Sequence, residues 1–140
     1  MIFDPERDLA VLRVPGLTAP ALRLQENARV GDVGVILGYP RNGGLREIPA
    51  RIQQVSIAKG PDIYGRHMAS RQVFALYGGI TRGMSGGPLV TTAGTVSAMV
   101  FATDLGSAQG SFALTARELS SQARAGTTAV TAVSTGPCSD

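Results

Sequence analysis

The apolar stretches of this chain between residues 8 and 114 are all of strand length, and glycine, proline or asparagine closes most of them. That punctuation constrains the fold more than any other feature. A chain broken so often leaves no room for long helices, and short strands separated by turn signals pack as a sandwich or a barrel. Eighteen glycines and eight prolines supply the turns. Strands are expected at residues 8–14, 20–24, 32–38, 48–58, 71–76, 88–92, 95–103 and 111–114, with Ala93-Gly94 joining the sixth and seventh as a hairpin. Arg41-Asn42-Gly43-Gly44 and residues 59–70 read as loops. One helix is expected over residues 116–125. Thr115 and Glu118 have the spacing of a capping box, and Gly126 is a natural stop.

The length of 140 residues suits one domain with a real core. Hydrophobic residues make up 44% and charged residues 16%, a globular balance and not a disordered one. No apolar run approaches the ~20 residues of a membrane span. The opening Met1-Ile2-Phe3-Asp4-Pro5 has neither the basic start nor the apolar core of a signal peptide. Twelve arginines and one lysine set the net charge of +3, but they are scattered and tryptophan is absent. Nucleic acid, which needs a concentrated basic face, is therefore not the expected partner. Cys138 is the only cysteine, so it makes no internal disulfide and, with a single histidine, no metal site. It is either a plain thiol in the tail or half of a bond to a cysteine elsewhere. No cofactor is expected.

Gly83-Met84-Ser85-Gly86-Gly87-Pro88 carries the chemistry, just ahead of the apolar pair Leu89-Val90. A serine hydroxyl attacks a carbonyl only when a base takes its proton and donors stabilise the oxyanion. Glycines around Ser85 let the backbone turn so tightly that two amides, those of Gly83 and Ser85, face one point. Asp8 opens the apolar strand Leu9-Ala10-Val11-Leu12. Such an aspartate caps a strand or pairs with a neighbouring arginine; with Ser85 on the chain it is also a candidate to orient a histidine. Asp4 and Asp32 open no comparable strand. The single histidine, His67, falls in a loop between Asp8 and Ser85 and reads as a surface residue.

Asp8-Leu9-Ala10-Val11-Leu12, Gly38-Tyr39-Pro40 and the run from Gly83 to Val90 together resemble trypsin-like serine proteases of the bacterial periplasmic type. Gly60-Pro61-Asp62-Ile63-Tyr64-Gly65, Val100-Phe101-Ala102 and Phe112-Ala113-Leu114-Thr115-Ala116 narrow the resemblance to the MarP-type acid-resistance proteases of actinobacteria, which are membrane-anchored. It extends from Phe3 to Cys138. It implies an all-β, chymotrypsin-like double β-barrel with a short C-terminal helix. Residues 1–44 would be the C-terminal part of the first barrel, 45–126 the second barrel with its helix, and 127–140 a tail. It implies a serine endopeptidase acting on protein or peptide substrates through an acyl-enzyme on Ser85. Asp8 would be the triad aspartate, the amides of Gly83 and Ser85 the oxyanion hole, Val100, Phe101 and Ala102 the strand beside the substrate, and Gly79 part of the specificity pocket.

Three departures qualify it. The family's histidine precedes the aspartate by a few tens of residues, but only seven residues precede Asp8. Met84 stands where the family usually has Asp or Asn. The family's membrane-spanning region is absent. The expectation is a C-terminal piece of a longer periplasmic or otherwise extracytoplasmic protein. Its membrane anchor lies upstream of Met1, its first barrel is incomplete, and the piece lacks peptidase activity by itself because the triad histidine is missing. Cys138 would then bond to an upstream cysteine. An incomplete barrel leaves open edges, so the N-terminal third should be the loosest part. The rival reading is a non-catalytic, peptide-binding or structural barrel descended from a protease.

Overall fold

A computed structural model of the chain describes residues 1–103 and 110–137. Six antiparallel strands close into a barrel: β3 (Val33–Gly38), β4 (Arg46–Pro61), β5 (Met68–Tyr77), β8 (Gly110–Thr115), β7 (Val96–Thr103) and β6 (Pro88–Thr91), in that spatial order. A separate two-stranded sheet pairs β1 (Ile2–Asp4) with β2 (Leu9–Val11), and helix α1 (Ala116–Gly126) follows β8. The molecule is thus mostly β, with two sheets and one C-terminal helix.

Alternation along the strands builds the barrel core. Ile36, Ala50, Ile52, Phe74, Leu76, Leu89, Ala98, Val100 and Ala113 point inward and are buried, and Met84 joins them from a loop. Burying each of the larger side chains contributes about 1.5–3 kcal/mol. A second cluster forms outside the barrel, where Leu9, Val73, Leu114 and Leu119 gather Leu24, Ala58, Met99, Phe101 and Phe112 around them. It glues β2 and α1 to the outer face of β5, β7 and β8.

Turn chemistry closes the hairpins. Asp62 Oδ1 accepts from the amides of Tyr64 (3.0 Å) and Arg66 (2.9 Å), and Gly65 takes φ +69°, which ends β4 and starts β5. Thr91 and Thr95 share a hydroxyl hydrogen bond of 2.7 Å across the β6–β7 turn.

Several expectations shift. Residues 20–24 form no strand; only Leu24 makes an isolated bridge, to Val96. Strand β1 had no alternating signal strong enough to read. Strand β3, assigned to the first barrel by a boundary at residue 44, is an integral strand of the closed barrel. Residues 40–42 form a short 3-10 turn within the expected loop. The helix lies where expected, but its capping box does not form. Thr115 makes no cap bond, its hydroxyl donating instead to Gln72 Oε1 (3.2 Å). Glu118 instead accepts from Arg7 Nε (3.0 Å) and from the Gln72 backbone amide on β5 (2.9 Å). Tertiary partners outcompete the local cap. Gly126 is the last helical residue and not a left-handed stop; its missing Cβ admits Val11 against the helix.

Candidate active site

The Ser85 turn is a backbone construction. Gly83 (φ +90°) and Gly86 (φ +83°) adopt conformations that cost other residues ~1–2 kcal/mol. A Cβ on Gly83 would also lie 2.8 Å from the Arg41 amide nitrogen. Gly87 passes directly over the Leu37 and Met84 carbonyls, leaving no space for any side chain. Four hydrogen bonds hold the loop: Met84 N to Thr81 O (3.3 Å), Gly87 N to Met84 O (2.9 Å), Gly86 N to Val100 O (2.7 Å) and Val100 N to Gly87 O (2.9 Å). Met84, which stands where the family usually has Asp or Asn, anchors the loop from inside as a fully buried core residue.

Ser85 stands exposed at the tip. Among the described residues its hydroxyl has no hydrogen-bond partner, and the amides of Gly83 and Ser85 donate to no carbonyl. The arrangement offers a solvent-facing hydroxyl beside two unengaged donors on a rigid turn.

Asp8 ends the turn between β1 and β2, exposed and at φ +55°. The arginine beside it is spoken for. Arg7 Nη1 binds Asp4 Oδ2 (2.9 Å) and its Nε binds Glu118 Oε2 (3.0 Å). Asp4 also accepts from the Arg7 amide (3.0 Å) and from Gln122 Nε2 (2.6 Å). Arg71 reaches over to the Glu6 carbonyl at 2.5 Å. Asp4 is therefore the buried, structural carboxylate of this hairpin, and Asp8 is left facing solvent with no arginine partner. Burial by itself would raise the Asp4 carboxyl, but the hydrogen bonds and charge of Arg7, with help from Gln122, outweigh it and hold Asp4 below the ordinary aspartate range. Sequence reading passed over this network; its trace was the i, i+3 spacing of Asp4 and Arg7.

Among the described residues Asp8 and Ser85 share no hydrogen bond. Leu9, next to Asp8, sits in the cluster that includes Met99 and Phe101, and Val100 between them holds Gly86 and Gly87. Val100 itself is buried, with its amide and carbonyl both committed to the Ser85 turn. Phe101 is half-buried at a bulge, since β8 pairs Val100 with Ala113 and Ala102 with Phe112. Strand β6 pairs with β7 only as far as Met99. Among the described residues, β7 from Phe101 to Thr103 pairs on the β8 side alone. Gly79 is exposed, with open space around it. His67 is exposed in the turn that starts β5, whereas Ser85 follows the other end of that strand. The Ser85 turn is bonded to Val100, which is level with Phe74 of β5 through Ala113, and the seven residues from Phe74 back to His67 span roughly 20 Å at ~3.3 Å each, so His67 does not reach Ser85. Cys138 lies outside the described residues.

A cavity of about 560 Å³ adjoins the turn, lined by Pro40, Arg41, Arg46, Glu47, Ile48 and Thr81 among others. Another, of about 650 Å³, lies on the barrel's outer face along β3 and β4 and includes none of the Ser85 turn.

A family model described as the trypsin-like peptidase domain matches residues 1–99. The chain is 40% identical over 139 residues to serine protease Rv3671c of Mycobacterium tuberculosis, a match covering 97% of this chain and 34% of the relative. It therefore spans about a third of the curated relative's length. The crystal structure of the active form of the Rv3671c protease superposes with a TM-score of 0.92 at 39% identity, covering 98% of this chain and 61% of that one. An inactive form of the same protease gives 0.78 at 38% identity, over 89% of this chain and 64% of that one.

Proposed function

Because the chain belongs to the trypsin-like serine peptidases, we propose that it is the Ser85-bearing part of a two-barrel endopeptidase. The observation that carries this is the free Ser85 hydroxyl beside the unengaged amides of Gly83 and Ser85. A histidine from a segment outside this chain takes the Ser85 proton, and Asp8 accepts a hydrogen bond from its other ring nitrogen and stabilises the imidazolium. Ser85 Oγ adds to the scissile carbonyl, and the resulting oxyanion sits between the two amides. Collapse expels the amine, which takes the proton from the histidine, and leaves an acyl-enzyme. Water deprotonated by the same histidine then releases the acid.

The substrate backbone adds to the open edge of β7 from Phe101 to Thr103, in the manner of strand addition. Val100 serves by holding the nucleophile turn, Phe101 and Ala102 continue the strand that the peptide pairs with, and Gly79 lies at the pocket. Exposed Leu12, Val14, Leu17, Leu22 and Val30 support a first barrel completed by polypeptide outside this chain. No helix among the described residues is long and apolar enough to cross a membrane, and we place the anchor outside this chain and the domain outside the cytoplasm. Cys138 is its proposed tether, through a disulfide to that same outside segment.

A fluorophosphonate probe tests the reading on the longer protein encoded with its upstream segment. Labelling that disappears in Ser85→Ala supports it. No labelling of intact, folded protein would favour a non-catalytic peptide-binding barrel.

A further inference from the structure

The cavity beside the Ser85 turn carries unneutralised positive charge. Arg41 and Arg46 line it and, among the described residues, neither forms an ion pair. Glu47 is the only acidic residue on the wall, and Arg82, exposed just before Gly83, adds a further cation nearby. The cavity is joined to the catalytic turn by backbone contact. Gly83 packs on Pro40 and on the Arg41 amide, and Thr81, whose carbonyl accepts from Met84, forms part of the wall. Arg41 is held at φ +52°, ψ +37°, one of two non-glycine residues at positive φ among the described residues; the other is Asp8. The Arg41 backbone is thus held against the catalytic turn, which roots its cation beside Ser85.

The turn also divides the substrate path. On one side Gly86 and Gly87 are bonded to Val100 of β7, whose open edge begins at the next residue. On the other side Gly83 abuts Arg41. A peptide that pairs with the β7 edge and crosses Ser85 must run on over the Arg41–Arg46 cavity. Resting on the proposed peptidase reading, we infer that this cavity selects an acidic side chain of the substrate, on the far side of the scissile bond from the residues that pair with β7. The same charges repel lysine or arginine there.

The test uses the longer protein with its upstream segment and quenched peptides that differ only at the two residues on that side, carrying Glu, Ala or Lys. The Glu peptide should have a kcat/KM roughly tenfold above the Lys peptide, falling with added salt. The Glu-to-Lys ratio should drop towards one in Arg41→Ala/Arg46→Ala, stay near the parent value in Arg41→Lys/Arg46→Lys, and shift towards Lys in Arg46→Glu. Equal kcat/KM for Glu and Lys peptides, or a preference that survives the double alanine variant, overturns the inference while Ser85-dependent probe labelling leaves the peptidase reading standing. Absence of both cleavage and labelling overturns both.

Discussion

Met84 fills the space that a side chain on Gly38 would take: a Cβ there would lie 3.2 Å from Met84 Cε and 3.4 Å from its Cβ and Cγ. The last residue of β3 is thus bare so that the residue before the nucleophile can enter the barrel. A turn fixed by an apolar plug should fail by cavity formation. Met84→Ala is expected to cost about 2–4 kcal/mol, and Met84→Leu under about 1.5 kcal/mol. Urea unfolding of the chain measures both. An alanine variant as stable as the parent would mean that the plug does not hold the turn.

The glycines of the turn differ in what they need. At Gly87 a Cβ meets two backbone carbonyls, which cannot swing aside; at Gly79 it meets nothing within 4 Å. Gly87→Ala should destabilise by about 2–4 kcal/mol, and Gly79→Ala should stay within about 0.5 kcal/mol. If Gly79 borders the substrate as proposed, its alanine variant in the longer protein changes kcat/KM at unchanged stability. Thermal melts paired with peptide cleavage separate the two effects.

Local chemistry made much of this legible in the sequence. Turn residues gave the strands of the barrel, because Gly and Pro act through the backbone whatever the tertiary context. The glycines of residues 83–87 gave a tight serine turn for the same reason. What escaped was decided at long range. Glu118 looked like a local cap, but Arg7 and the Gln72 amide, far away in sequence, take its carboxylate. Residues 20–24 alternated like a strand and found no partner beyond one bridge. Val100 was grouped with the substrate-facing strand, yet its burial and its bonds to Gly86 and Gly87 depend on where β7 meets the turn. Asp8 and Ser85 were both readable as residues; the cluster that seats Leu9 and the Val100 bonds that hold the Ser85 turn were not.

Arg7 bridges two carboxylates, so its loss strands both. Arg7→Ala should destabilise by about 1–3 kcal/mol, the discount reflecting its half-exposed side chain. Asp4 adds a pH dependence. Its folded carboxyl titrates below the ordinary aspartate value, with desolvation opposed and outweighed by Arg7. It therefore contributes stability that is fully present above the unfolded value of about 4 and is lost as pH falls through the depressed folded one. Asp62, held down chiefly by its hydrogen bond from the Arg66 amide, acts in the same direction. Denaturant midpoints measured from pH 6 down to 2 should fall below about pH 4, less steeply in Asp4→Asn. A flat profile in the parent would exclude this coupling.

The same network predicts where the chain is loose. The expectation of a weak N-terminal third needs refining, because β1 and β2 are tied to the rest at several points. Asp4 accepts from Gln122, Arg7 binds Glu118, and the Met1 amino group donates to Thr131 O at 2.8 Å. From Leu12 to Leu22 the chain has no strand partner, and Leu12, Val14, Leu17 and Leu22 are exposed. Strand β5 pairs with β4 along its whole length and also with β8 from Val73 to Tyr77, and β7 lies between β6 and β8 at Ala98 and Met99. Amide hydrogen exchange should therefore order three classes: fastest across residues 12–22, intermediate in β1 and β2, slowest from Val73 to Tyr77 of β5 and from Ala98 to Val100 of β7. Arg7→Ala should move β1 and β2 into the fast class and leave the barrel strands protected. Equal protection of residues 12–22 and β5 would refute the assignment, and β1–β2 exchange unchanged by Arg7→Ala would show that contacts other than the Asp4–Arg7–Glu118 bridge hold the Asp8 hairpin in place.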